Sequence, residues 1–306
     1  SRQESPPFGP DGQFWPGWSR PLYWLLAFNV GIGQLLALSA SGQGTAVTLL
    51  NALILAAMAT AWLWPRLTYP PLLLIFIALA QFMGWQDAPG TAWPPALAGL
   101  TLAYGLIGYG WPYLRRWRAS LQPQWTMWQR PLRLSSWALS LGSLLLAFVL
   151  GLRISTLIFR ALVWVAVVRP SELPQVQMMI LTLAILGLFY LTVALAERRL
   201  RVGYGALFLL LAAWGLWLLL IAQQRNLQLY ALPASLYLLS VGWLEWQTGQ
   251  RRLARWIDRA GLLLLFGSVF WQSFGDYGGW YALLMVGEGL LVVWLGSWRR
   301  LRRWLY

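Results

Sequence analysis

The chain contains no histidine, no cysteine and no lysine, and only nine acidic residues among its 306. Each absence removes a chemistry. Without histidine or cysteine there is no ordinary haem ligation, no Cys/His zinc site, no iron–sulfur cluster and no histidine-based serine or cysteine catalysis. Without lysine there is no Schiff base and no Walker A phosphate clamp. The lack of cysteine also excludes disulfides and erases any trace of redox compartment. No cofactor and no metal ion is expected. Charged residues amount to 10% of the chain, against about 25% in a soluble domain.

What the sequence has in abundance is apolar: 59% hydrophobic residues, a mean hydropathy of +0.57 and 23 tryptophans. So little polar surface cannot coat a water-soluble globule of this size, and a bilayer is the solvent that fits. The net charge of +14 comes entirely from arginine. These arginines flank apolar runs instead of forming one basic module, so they report topology and no nucleic-acid partner is expected.

Apolar runs near the roughly 20 residues needed to cross about 30 Å of hydrocarbon occur ten times. They lie at about 21–40, 44–64, 69–85, 95–114, 134–152, 176–196, 204–222, 228–246, 260–275 and 279–298. The expected fold is an all-α, polytopic transmembrane bundle. Residues 1–20, rich in proline and glycine, form a polar arm with neither the n-region nor the h-region of a signal peptide. The missing initiator methionine is what a processed chain or a fragment would show.

Arginine-rich loops stay cytoplasmic. If ten helices alternate, 19 of the 23 arginines fall on one side. Only Arg153, Arg160, Arg169 and Arg225 fall opposite. That asymmetry predicts both termini in the cytoplasm, in a cell membrane of the bacterial inner-membrane type. Trp64, Trp85, Trp93, Trp256, Trp271 and Trp280 cluster at predicted span ends, where an amphipathic ring favours the headgroup level.

A duplication is the most specific pattern. Trp15-Pro-Gly-Trp18-Ser-Arg20-Pro21-Leu22 and Trp125-Thr-Met-Trp128-Gln-Arg130-Pro131-Leu132 share five residues in eight. Each reads as a membrane entry: interfacial Trp, an Arg toward phosphate, and Pro in the first helical turn, where its missing N–H costs nothing. The repeat unit is four helices, over 21–114 and 115–246, parallel in sense, the second copy carrying an interfacial insertion at about 153–175. Residues 247–306 form a two-helix partial third repeat, a weak echo of the entry motif standing at Trp256-Ile-Asp-Arg259. Four plus four plus two is the form a sequence cut after Tyr306 would take, although the Arg299–Trp304 run equally suits a cytoplasmic terminus.

Glu288 is the only carboxylate expected well inside a span, and a charge at the bilayer centre costs a few kcal/mol. Two readings stand: a proton- or substrate-binding carboxylate near the midplane, or a structural Glu paired within the bundle. Arg153 and Arg160 lie two helical turns apart on the inserted segment, which is read as a helix at the outer interface closed by Arg169 and Pro170. They are candidate contacts for a lipid headgroup or another anion, or simply snorkel to the interface. Asn29, Gln34, Asn51, Gln81, Thr101, Thr182 and Gln272 are expected to bond between helices. The glycines between Gly99 and Gly110 mark the fourth helix as closely packed.

No nucleophile–base pair is visible, so no enzymatic activity is expected. The leading expectation is a non-catalytic integral membrane protein with a structural, assembly or lipid-binding role. The alternative is a secondary transporter or channel using Glu288. Membrane lipids are the expected partners, with other membrane subunits as the further candidates.

Overall fold

The computed structural model describes residues 19–37, 41–114, 122–163, 168–224, 226–274 and 278–298. The N-terminal arm through residue 18, the clusters Arg115/Arg116/Arg118 and Arg299/Arg300/Arg302/Arg303, and Arg225 and Asp276 lie outside the described residues. Among those described there are ten α-helices and no strand. They are α1 (Ser19–Leu36), α2 (Gly42–Trp62), α3 (Tyr69–Trp85), α4 (Trp93–Leu114), α5 (Gln122–Val163), α6 (Leu173–Glu197), α7 (Leu200–Leu216), α8 (Gln228–Gln247), α9 (Arg251–Gln272) and α10 (Gly278–Trp298).

Local chemistry sets several of these boundaries. Ser41 caps α2 by accepting the Gly44 N–H at 3.0 Å. That helix stops where Leu63 turns left-handed and Pro65 follows, since proline has no N–H to continue the ladder. Pro70 and Pro71 open α3, and Pro174 opens α6, each in the first turn where the N–H has no helical acceptor.

Helices consecutive in the chain run antiparallel. Side chains that meet have residue numbers climbing on one helix and falling on the next: Gly42 with Trp85 and Thr48 with Gln81, then Arg133 with Gly108 and Ser143 with Pro94. The same holds for Ser140 with Tyr190 and Arg160 with Glu172, for Gly203 with Ala194, and for Gly261 with Leu239. The core is built around α4, α5 and α6, with α2–α3 packed beside it; α8–α9 form a tight pair joined to the rest chiefly through α7, and α10 lies on α9. In α4, Gly105 lets the Phe189 ring of α6 reach its backbone; a Cβ there would stand 2.6 Å from the ring. Opposite, α5 presents the fully buried stripe Ser136, Ser140 and Ser143, small residues that permit close approach.

Among the described residues five helical segments are long and apolar enough to cross a membrane: Gly42–Ala61, Pro65–Trp85, Thr126–Leu162, Leu173–Glu197 and Leu200–Ile221. Their outer faces are Leu, Phe, Val and Trp, as they are on α1 and α10. A water-soluble surface does not look like this.

Two expectations are corrected. The segment after Arg153 is not a separate interfacial helix: α5 continues unbroken to Val163, because residues 152–163 include neither glycine nor proline. At 42 residues α5 measures about 63 Å, twice the hydrocarbon thickness. Its far end packs Ile154 and Leu157 against Val176 of α6 and against Leu220, in the π-helical turn Trp217–Ile221 that follows α7. The second correction concerns the entry motif. Pro131 sits inside α5, nine residues past its start, and Trp128 is buried beside Leu72, Tyr104 and Leu132 instead of anchoring at an interface.

Candidate functional site

Glu288 is the eleventh residue of the 21 in α10, the middle of its helix by count. Its carboxylate nevertheless meets the first residue of α8. The Gln228 side-chain amide donates to Glu288 Oε1 at 2.5 Å, and Gln228 Oε1 accepts from Ser268 Oγ of α9 at 2.8 Å, a hydroxyl shared with the Leu265 carbonyl. The three helices are thus pinned together at one level. Because Gln228 begins α8 and Ser268 lies four residues from the end of α9, that level is near the end of the α8–α9 pair and not at its midpoint. Position along a helix equals depth only when helices are in axial register, and α10 is offset along the other two. The second carboxylate oxygen, Oε2, is shut away from solvent and makes no hydrogen bond.

Two further carboxylates are buried in the same three helices. Glu245, near the end of α8, and Asp258, two turns into α9, are 8% and 4% exposed. The apolar-run reading missed Asp258 because Arg251, Arg252, Arg255 and Arg259 surround it in sequence and make the stretch look like a loop. The signal was there at helical spacing: Ala254, Asp258, Gly261 and Leu265 fall on one face, and all are buried. Gly242 of α8 makes room for Asp258, since a Cβ on Gly242 would collide with the carboxylate. Glu245 Oε2 accepts from the Thr248 hydroxyl at 3.3 Å.

Arg153, Arg160 and Arg169 do not form one anion pocket. Arg160 is paired with Glu172 at 2.8 Å, and the other Glu172 oxygen accepts the Arg169 backbone N–H at 3.1 Å. Glu172 therefore closes the α5–α6 turn, and its carboxyl is held below the usual carboxylate value, first by the Arg169 N–H and then by the Arg160 guanidinium. Arg153 stands exposed in an apolar stripe between Leu152 and Phe159.

Three polar side chains of α1–α3 form a chain of bonds between helices. Gln34 donates to Thr48 Oγ1 at 3.0 Å, Thr48 donates to Gln81 Oε1 at 2.8 Å, and Gln81 returns a bond to the Ala37 carbonyl. Asn29, Thr101 and Thr182, expected to bond between helices, instead bond carbonyls of their own helix. Among the described residues no three acidic side chains converge as a metal site would require.

These features define an all-α protein with several helices fit to cross a membrane. No family model, curated protein or solved structure matches the chain.

Proposed function

We propose that the chain is a non-catalytic polytopic integral membrane protein with a structural, assembly or lipid-binding role, its ten helices threading the bilayer alternately. The observation that carries this reading is the fate of the polar groups. Gln34, Thr48, Gln81, Tyr104, Trp137, Ser143, Gln228 and Ser268 all bond across helix boundaries. They join the bundle to itself. The arginine asymmetry supports the threading. Among the described residues eleven arginines lie at the ends shared by the start of α1, α3, α5, α7 and α9, and three at the opposite ends. On the positive-inside rule the first set faces the cytoplasm. The packing of α2 on α3 and of α6 on α7, and of α4 on α5 and of α8 on α9, supports the proposed four-helix repeat.

The second reading is a secondary transporter or channel, favoured by the unmatched Oε2 of Glu288. Proteoliposomes with an entrapped pH dye and an imposed potassium diffusion potential separate the two. An assembly or lipid-binding protein passes no protons above empty vesicles, and Glu288→Gln leaves its folded yield unchanged. Proton flux that Glu288→Gln abolishes sinks the first reading and establishes the second.

A further inference from the structure

Consecutive helices α7 and α8 part along their length, in contrast to the close pairs α6–α7 and α8–α9. Between them lies a laterally open groove of about 410 Å³, walled by Leu207, Leu211 and Trp214 of α7 and by Leu236, Tyr237 and Ser240 of α8. Two struts bracket it. At one end the Trp214 indole N–H donates to the Leu229 carbonyl at 3.3 Å. At the other the Tyr237 hydroxyl donates to the Tyr204 carbonyl at 3.2 Å. One strut runs from α7 to α8 and the other from α8 to α7, so the two helices are tied to each other at both ends of the groove.

A nearly all-carbon groove offers water too few partners to hold it, and left empty it forfeits dispersion contacts along both walls. In a bilayer the available filler is hydrocarbon. The end beyond Tyr204 adds a charge argument. Arg201 lies one turn before Tyr204, and Arg198 stands at the α6–α7 turn; both are exposed, whereas Arg199 is engaged by Glu197 at 2.8 Å. From Leu207 back to Arg201 is six residues, about 9 Å of helix. A guanidinium fork at that distance from an apolar slot suits a phosphate whose chain occupies the slot.

We propose that the α7–α8 groove binds one acyl chain of an anionic glycerophospholipid, with the lipid phosphate on Arg198 and Arg201. This rests on the reading of the chain as an integral membrane protein and adds to it a specific lipid site. The test is photocrosslinking of the full chain in proteoliposomes doped with phosphatidylglycerol bearing a diazirine on its acyl chain, mapped by peptide mass spectrometry. Labels concentrate on 207–214 and 233–240, and unlabelled phosphatidylglycerol competes about tenfold better than phosphatidylcholine. Ser240→Trp, at an exposed position, fills the slot and lowers labelling of both segments about tenfold, while labels on the outer face of α5 do not change. Arg198→Gln with Arg201→Gln removes the preference for the anionic lipid.

Labels spread evenly over the outer faces of α1, α5 and α10, or labelling indifferent to Ser240→Trp, overturn the groove. Equal competition by the two lipids overturns the phosphate assignment. A chain that carbonate washes off the vesicles overturns the membrane reading itself, and the lipid site with it.

Discussion

Trp214 of α7 donates its indole N–H to the backbone carbonyl of Leu229 in α8, the very carbonyl that Pro233 leaves without a helical donor. In an α-helix residue 233 would donate to residue 229, and proline has no N–H to give. The orphaned acceptor and the borrowed donor explain each other. In lipid, where no water stands in, an unmet carbonyl is costly. Trp214→Phe keeps the ring and removes the donor, and is expected to cost about 0.5–1.5 kcal/mol in detergent unfolding. In a Pro233→Ala background, where the backbone regains its own N–H at that position, the same change costs less. Equal costs in both backgrounds would mean that Trp214 contributes packing alone.

Gly242 and Asp258 make a second coupled pair. A methyl on Gly242 meets the Asp258 carboxylate on one side and the Ala254 carbonyl at 3.3 Å on another, so α8 and α9 must separate. Gly242→Ala is expected to cost about 1–3 kcal/mol, in the range for overpacked cores. Asp258→Ala removes the obstacle, and the double variant is expected to lie well below the sum of the singles in a thermal-unfolding cycle. Additive losses would show that the two positions do not share the contact.

Much of the architecture was legible because composition and period act on long stretches. Each apolar run overlaps one of the ten helices among the described residues, and Gly105 and Gly108 of α4 do lie against neighbours, whereas Gly99 and Gly110 face open space. What was not legible depends on where one helix sits relative to another. Glu288 is mid-helix in any sequence reading, and only the axial offset of α10 brings it level with Gln228. Asp258 was hidden by its arginines, although its face is readable at a spacing of three and four. The extension of α5 past Arg153 was readable too: no breaker stands there, but a charge was weighted as a boundary where backbone propensity ruled.

The Arg160–Glu172 pair gives a pH test at the α5–α6 turn. Its folded carboxyl lies below the ordinary value of 4.5, so the stabilisation is fully present above that value and is lost as pH falls through the lowered folded one. Hydrogen-exchange protection of the Arg169 and Glu172 amides, corrected for intrinsic rates, should therefore hold steady at neutral pH and drop in acid. Glu172→Gln should show the reduced protection at every pH. Protection that stays constant into strong acid would place the closure of this turn in other contacts.

Of the crossings proposed above, α9 has the weakest physical basis, which makes it the most informative one to test. Its first nine residues carry Arg251, Arg252, Arg255, Asp258 and Arg259, leaving 260–272 as an apolar stretch of about 20 Å against about 30 Å of hydrocarbon. Two devices can close that gap. Long arginine stems reach back to the interface, and Arg259 already lies over the Trp256 ring; the bilayer also thins locally at modest cost. A chain without cysteine allows each loop to be tagged singly. Gln86→Cys, Ser171→Cys and Ser273→Cys should react with an impermeant maleimide on intact bacterial cells, and Gln250→Cys only after permeabilisation. Gln250 and Ser273 flank α9, so identical labelling of those two would show that α9 does not cross. The bundle would then have fewer passes.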